Sequence, residues 1–377
     1  MSLSVGIVGL PNVGKSTLFN ALLKKQVAYV ANYPFATIEP NIGVVPVPDE
    51  RLEKLADVVA RELNPSAPSI TLRTGSLGTS RPPIVPAVVQ FVDIAGLVKG
   101  ASIGAGLGNQ FLSHIREVDA IIHVLRDFED TEIIREGSEN PKSDREVVET
   151  ELALADLQVI EKLIDNQSKT AKESRDPLDN LKVNLLKEFR DQLEKGEMIG
   201  GRKMDDERLV SWFKTLPLLT TKPVLYIYNV SEKEYSEKIK NNEEGDKIII
   251  SAKLEGELAD YSEEERLEYL QSLGIDKTGL ERLIIKAYEL LGLISYLTAG
   301  PKEVRAWTIK KGMLAPQAAG VIHTDFEKKF ISAEVISAEE LLAAGGFKVA
   351  KQKGKIRIEG KNYPVVDGDV IEFNVGS

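Results

Sequence analysis

The residues with the clearest chemistry are Gly9-Leu10-Pro11-Asn12-Val13-Gly14-Lys15-Ser16, which fit the spacing G-x-x-x-x-G-K-[ST]. Glycines in such a loop let backbone N–H groups converge on phosphate oxygens, and the start of a helix adds positive potential there. In this pattern Lys15 reaches the β- and γ-phosphates and the Ser16 hydroxyl binds Mg²⁺. Asn12, Val13, Gly14 and Thr17 complete the candidate cradle. A glycine turn that binds nothing is the competing explanation. The setting argues against it, because an apolar run (residues 3–8) leads in and a helical stretch from Ser16 leads out.

Asp93-Ile94-Ala95-Gly96 follows a second apolar run, residues 88–92. An Asp at a strand end holds the Mg²⁺ shell, and a Gly three residues later places a backbone N–H at the γ-phosphate. Alone the pattern is weak; its place downstream of the phosphate loop strengthens it. Thr37, in Pro34-Phe35-Ala36-Thr37, lies between the two motifs. It is the candidate switch threonine that completes the Mg²⁺ shell, on equal footing with a plain loop residue. The metal set is therefore Ser16, Thr37 and Asp93.

A purine reader follows a later strand. GTPases of this fold read guanine with N-K-x-D, whose carboxylate accepts from guanine N1–H and N2–H₂. Here the run 224–228 leads into Asn229-Val230-Ser231-Glu232, with Val for Lys and Glu for Asp. Adenine has no N2 amino group and its N1 is an acceptor, so a carboxylate gains nothing from it. A mismatched hydrogen-bonding site loses heavily, on the order of several kcal/mol. Guanine selectivity is expected to be lost and adenine preferred; a guanine site with a relaxed motif is the alternative. Asn229 and the Val230 backbone are placed on the adenine edge, and Ser251-Ala252-Lys253 supplies the remaining wall.

These motifs need a scaffold. Five apolar runs (3–8, 88–92, 120–125, 224–228, 247–250) alternate with helical stretches such as 16–24 and 110–117, which predicts an α/β domain with a mostly parallel sheet. Between the third and fourth runs, Val148, Leu152, Ala155, Val159 and Leu163 form one apolar seam. Leu178, Leu181, Leu185 and Phe189 form another, after a turn placed near 166–177. They read as an inserted antiparallel helical hairpin, or else as two ordinary surface helices. After Gly300-Pro301, strands at 303–309, 355–358 and 370–374 and a helix at 315–323 suggest a small α+β domain. The expected division is 1–130 with 211–299 for nucleotide binding, 131–210 for the inserted helical arm, and 300–377 for the C-terminal domain.

Composition narrows the classes. The net charge of −10 over 377 residues argues against a surface coated with nucleic-acid-binding charge. The charge is uneven, however. Residues 301–377 hold 12 basic and 10 acidic residues, and residues 348–361 alone hold six basic residues and one acid. Lys353, Lys355 and Arg357 alternate, so on a strand they share one face suited to RNA phosphates, or simply to solvent. With no cysteine, disulfides, thiolate metal sites and thiol nucleophiles are excluded. The three histidines, His114, His123 and His323, are scattered, against a histidine metal site. No apolar run reaches 18 residues and the first residues carry no targeting pattern, so a cytoplasmic protein without a membrane association is expected.

The loop at 9–17, the stretches 91–102, 106–112 and 115–120, and Asn229-Val230-Ser231-Glu232 resemble the YchF/Obg-like ATPase family, within the translation-factor-related P-loop GTPases. The resemblance covers nearly the whole chain. It implies a nucleotide-binding G domain, an inserted coiled-coil arm and a C-terminal TGS domain of ubiquitin-like β-grasp form. It implies ATP hydrolysis in preference to GTP, and association with ribosomes (large subunit or 70S) and ribosomal RNA, by a monomer. The catalytic Gln after D-x-x-G is replaced by Leu97, which implies slow intrinsic turnover. His114 stands where the family carries a histidine proposed to assist hydrolysis; a histidine packed on a helix face is the alternative. Together with Lys15 it is the catalytic candidate. Asn12 matches an Asn that helps hold K⁺ in related GTPases with a hydrophobic residue at the Gln place, so K⁺ joins Mg²⁺ as a candidate ion. Ala36 replaces a Cys common in bacterial members, which removes any thiol redox control there. Residues 72–83 form a segment longer than usual. Two other functions compete: an Obg-type GTPase in ribosome assembly, and a nucleotide-gated binding adaptor with incidental hydrolysis.

Overall fold

A computed structural model of the chain describes residues 3–32, 41–63, 81–94, 107–130, 135, 139–174, 176–201, 204–241 and 245–376. Thr37, Gly96, Leu97 and the segment 72–80 lie outside the described residues. The strands in chain order are β1 (Ser4–Val8), β2 (Ile42–Pro46), β3 (Ile84–Val85), β4 (Val88–Asp93), β5 (Ala120–Asp127), β6 (Val224–Val230), β7 (Lys247–Ile250), β8 (Leu293–Ala299), β9 (Val304–Lys310), β10 (Phe330–Ser337), β11 (Arg357–Glu359) and β12 (Asp369–Val375). They make two six-stranded sheets, β2-β4-β1-β5-β6-β7 and β11-β10-β12-β8-β9-β3. Two compact units result, Met1–Val45 with Gln90–Leu291, and Pro46–Val89 with Gly292–Ser377.

In the first unit β1 pairs parallel with β4 and β5, β5 with β6, and β6 with β7. Parallel strands buried on both faces read as unbroken apolar runs, and all five expected runs are strands. Val5, Ile7 and Val8 of β1 and Ile122 and Leu125 of β5 have no exposed surface. A parallel sheet puts every strand's carboxyl end on one edge, so the loops after β1, β4, β5, β6 and β7 gather there.

The insertion is a pair of helices, Pro141–Glu173 and Pro177–Leu193, packed together. The connection falls within the turn expected near 166–177, at its far end, because the last polar turns of the first helix stay helical to Glu173. That helix stops at Ser174, and Asp176 caps the second helix ahead of Pro177 at its first position. In the second seam Leu178 and Phe189 are buried and Leu185 partly so, as expected, but Leu181 is exposed, and Val183, Leu186 and Leu193 are buried beside them. The lower half of the pair packs against Ile199 and Leu218 as well as against itself, so its buried stripe is wider than a two-helix seam. Asp156, wholly buried, accepts from the Leu219 and Thr220 amides (2.9 and 2.8 Å) and the Thr220 hydroxyl (2.7 Å), fixing the helix to the lead-in of β6.

In the second unit, β8 and β9 form an antiparallel pair, β12 lies parallel beside β8, and β10 and β11 follow antiparallel. Helix Ala315–Ile322 packs Ala315, Ala318 and Ala319 onto Tyr296, Ile309 and Val335. The order β9-β8-β12-β10-β11 is the β-grasp arrangement. Residues 46–89 belong to this unit, which differs from the expected boundary. Helix Glu50–Leu63 lays Leu52, Leu55, Ala56 and Val59 against β8 and β9, and β3 extends the sheet by pairing parallel with β9. Arg51 holds Asp49 with two nitrogens (2.8 and 2.7 Å) and Asp367 with a third (2.7 Å). The sequence carries no motif that ties this segment to strands more than two hundred residues away; even an amphipathic helix shows that it has a partner, not which one.

The basic row needs correction. Only Arg357 is on a strand. Lys353 ends the short helix Phe347–Gln352, and Gly354 at φ 63° turns the chain before Lys355, so the three side chains do not share a strand face. All three are exposed, with Lys355 3.8 Å from Glu340 and Arg357 3.5 Å from Glu359.

His123 on β5 is 2% exposed, and its Nε2 has no partner among the described residues. Burial, with the charges of Arg145 and Lys15, pushes its pKa down to about 3. Between pH 6.5 and that value the unfolded chain binds a proton that the folded chain does not, so stability falls with pH in that window. About 2 kcal/mol is lost through this group between pH 7 and pH 5. Urea unfolding of the native chain and His123→Phe at both pH values checks this: the variant is expected to lose about that much less, and equal losses would refute the assignment.

Candidate nucleotide site

The loop after β1 curls through Gly9 (φ 155°) and Gly14 (φ 100°). A side-chain carbon on Gly9 would meet the Val124 carbonyl at 2.5 Å, and one on Gly14 would meet Asn229 Nδ2 at 2.2 Å. Both positions therefore need glycine for space as well as for φ. The helix Lys15–Asn32 starts directly behind the loop. The Lys15 ammonium is buried in the curl and donates to the carbonyls of Gly9 (3.0 Å) and Leu10 (2.7 Å). Burial lowers its pKa to about 8, against the opposing pull of Asp93. It remains cationic at neutral pH.

Asp93 ends β4 opposite Ile7 of β1, with its amide held by the Asn41 carbonyl (3.0 Å). Burial raises its pKa and Lys15 pulls it back. A half-buried carboxylate beside a lysine and the exposed Ser16 hydroxyl fit a Mg²⁺ that draws its other ligands from phosphate and water. Consistent with that sparse donor set, no group of three or more His, Asp or Glu side chains poised for a metal occurs among the described residues.

A cavity of about 800 Å³ opens beside the loop. Asn12, Gly14, Lys15, Ser16 and Thr17 line one end, and Asn229, Val230, Ser231, Glu232, Ser251 and Ala252 line the other. The structure thus brings together most of the nucleotide residues expected from sequence. Val13 lies beneath, buried, and offers its carbonyl.

Asn229 has a structural tie in addition to its place on the cavity wall. Its Nδ2 donates to the Val13 carbonyl and its Oδ1 accepts from the Ala252 amide, both at 2.9 Å. The amide therefore ties the phosphate loop to the base wall. Val230 turns its side chain into a cluster with Tyr235, Ile249, Leu254 and Leu258, leaving only its backbone for a base. Glu232 opens the helix Glu232–Asn241, and its carboxylate accepts from the Tyr269 hydroxyl at 3.4 Å. Ser251 is 1% exposed, lines the cavity, and its Oγ has no partner among the described residues.

Phe128, Glu129 and Asp130, together with Lys233, also line the cavity and were not expected. The available signal was position: residues 128–130 leave the carboxyl end of β5, on the same edge as every other functional loop. His114 lies on the exposed side of helix Leu107–Glu117 and is not among the cavity-lining residues. Lys222 fixes the end of that helix by donating to the carbonyls of Arg116 (3.2 Å) and Val118.

A phosphate loop after the first strand of a parallel sheet, with a base wall after the last two, defines a P-loop nucleotide-binding domain of the GTPase type; here it shares the chain with a β-grasp unit. A family model described as a 50S ribosome-binding GTPase matches residues 4–187, and the YchF-GTPase_C model, described as a protein of unknown function, matches residues 293–376. The ribosome-binding ATPase YchF of Bacillus subtilis is 46% identical across 99% of both chains, and that of Escherichia coli O157:H7 is 47% identical across 99% of both. Obg-like ATPase 1 of Xenopus laevis is 42% identical over 99% of this chain and 92% of that one. The solved YchF GTPase of Schizosaccharomyces pombe superposes with a TM-score of 0.82, at 37% identity, over 99% of this chain and 98% of that one. The chain belongs to the YchF family.

The Lys15 geometry sets a pH dependence. A phosphate anion binds the ammonium form, so above pH 8 binding must also supply a proton. The ATP dissociation constant is expected to be flat between pH 6.5 and 7.5 and to rise about tenfold per unit well above pH 8, measured by equilibrium dialysis. A flat profile to pH 9.5 would refute the role given to Lys15.

Proposed function

We propose that the chain is a slow, Mg²⁺-dependent ATP hydrolase whose nucleotide state sets its affinity for the ribosome in the cytoplasm. The observation that carries the ATP preference is the base wall. The Asn229 amide binds Val13 and Ala252 with one N–H and one lone pair, Val230 is turned into the core, and Glu232 engages Tyr269. The second Asn229 N–H, the Val230 backbone and the Ser251 hydroxyl remain to read the base. None of these is the carboxylate that pairs with guanine N1–H and N2–H₂, whereas a backbone amide and carbonyl match adenine N1 and N6–H₂.

Lys15 would hold the β- and γ-phosphates, with backbone amides of the loop around them. Ser16, Asp93 and Thr37 would hold Mg²⁺, which when bound neutralises charge on the phosphate oxygens. Gly96 would offer its amide to the γ-phosphate, and Asn12 would favour K⁺ beside it. His114 would position the attacking water, with Lys222 fixing its helix. Names of the relatives, ribosome-binding ATPase and Obg-like ATPase, support both halves of the reading. Exposed Lys353, Lys355 and Arg357 are the candidate contacts to ribosomal RNA, and the helical arm is a second candidate contact.

A GTPase is the second reading, favoured by the description of the family model that spans residues 4–187. Competition against a fluorescent ADP analogue separates the two: ATP is expected to displace it at one-tenth the concentration of GTP or less, and tighter GTP binding would overturn the assignment.

Sedimentation with purified ribosomal subunits tests the switch. More of the chain is expected to pellet with ATP than with ADP, and Lys15→Ala is expected to remove the difference. Pelleting that ignores nucleotide would favour the adaptor with incidental hydrolysis.

A further inference from the structure

The cavity wall formed by Phe128, Glu129 and Asp130 is held from inside the protein by one side chain. Arg126, 3% exposed, donates from Nε to the Phe128 carbonyl (3.3 Å) and from a terminal nitrogen to the Asp130 carbonyl (3.2 Å). Its guanidinium carbon lies 4.6 Å from the centre of the Phe128 ring. The backbone of Arg126 is held in turn. Its amide donates to Asp144 Oδ2 (2.9 Å), and its carbonyl accepts from Arg135 (3.0 Å), which also reaches Asp144 Oδ2 (2.9 Å).

Asp144 is 1% exposed and lies in the first turn of helix Pro141–Glu173, behind the capping box of Asn140 and Ser143. A direct hydrogen-bonded path therefore runs from the cavity wall to the root of a 33-residue helix. Hydrogen bonds to a charged group are roughly twice as strong as neutral ones, and parting a buried carboxylate from its donors leaves an uncompensated charge. The wall and the root are thus more easily moved together than separated. Asp156 pins the same helix to Leu219 and Thr220 twelve residues further on, roughly 18 Å along the axis. A shift delivered at Asp144 consequently tilts the helix instead of sliding it.

We propose that Arg126 is a positioning residue for the nucleotide and that, through Asp144, it makes occupancy of the cavity felt at the root of the helical arm. This rests on the reading that the cavity binds ATP. A base seated against residues 128–130 fixes carbonyls that Arg126 holds, and fixing Arg126 fixes the acceptor on the arm.

Amide hydrogen exchange on the full chain, with and without saturating ATP and Mg²⁺, tests the link. ATP is expected to slow exchange at least fivefold at both 126–130 and 141–148. In Arg126→Gln the KM for ATP is expected to rise about tenfold, by more than kcat falls, and the slowing at 141–148 is expected to vanish while ATP is still bound. Asp144→Asn, which keeps the shape and one acceptor oxygen, serves where the first variant fails to fold; it is expected to lose at least half of the response at the root. The proposal is overturned if the native chain binds ATP with no change at 141–148, or if either folded variant keeps the full response. If the native chain does not bind ATP in equilibrium dialysis, the nucleotide reading itself fails and the proposal falls with it.

Discussion

The nucleotide site depends on one buried amide. Asn229 stands at the end of β6 and reaches both ways, to the Val13 carbonyl in the phosphate loop and to the Ala252 amide after β7. Three chain segments, one of them more than two hundred residues from the other two in sequence, are set to one another by two bonds of 2.9 Å. Buried polar groups left without partners cost about 1–3 kcal/mol each, so neither the loop nor the wall has a cheap alternative position. Gly14 follows from the same constraint, since any side chain there would occupy the place of Asn229 Nδ2. The glycine and the asparagine are one feature: the loop comes close enough to be held only because nothing projects from it.

Electrostatics around this frame are arranged for an anion. Lys15 is buried with its charge shared among two carbonyls and the nearby Asp93, and burial has already lowered its pKa. A desolvated ammonium gains more from a phosphate than a hydrated one does, because little water remains to be displaced. Asp93 shows the reverse shift, with burial working against its charge. A divalent cation would relieve exactly that cost, so the two groups are complementary halves of a site for metal-bound phosphate.

The parts legible in the sequence were those where local pattern and tertiary role coincide. Strands buried on both faces announced themselves as apolar runs, and the phosphate loop carries its geometry in its glycines. Three things were hidden. The bonds of Asn229 to Val13 and Ala252 were not legible beside its expected place on the base, because that pairing is one only the fold can make. Residues 128–130 have no motif; their role comes from leaving β5 at the edge where the other loops gather. Helix Glu50–Leu63 carries no motif that assigns it to β8 and β9, so residues 46–89 fell within the expected nucleotide-binding division. The alternating basic residues Lys353, Lys355 and Arg357 misled in the opposite direction, since a period of two means a strand only if the chain is extended, and Gly354 turns it.

The inserted helices illustrate how buried charge decides between an appendage and an integral part. A coiled coil resting on the core by an apolar seam could pivot, since hydrophobic contact is non-directional. Here the stripe of the first helix also carries Asp144, Glu151 and Asp156, all buried. Desolvation raises the Asp156 pKa, yet three hydrogen bonds from Leu219 and Thr220 favour its charged form. Such bonds are directional, and a carboxylate that loses them pays for its burial without return. The lower half of the arm is therefore fixed in orientation as well as in place. Beyond residue 160 the helix carries no fully buried side chain, although Leu163 and Ile164 still pack in one cluster with Trp212 and Phe213, and Arg208 reaches Asp176 at the connection (3.6 Å). An arm with a directional root moves as a body when its base is shifted, which is what the proposed link from the nucleotide site requires.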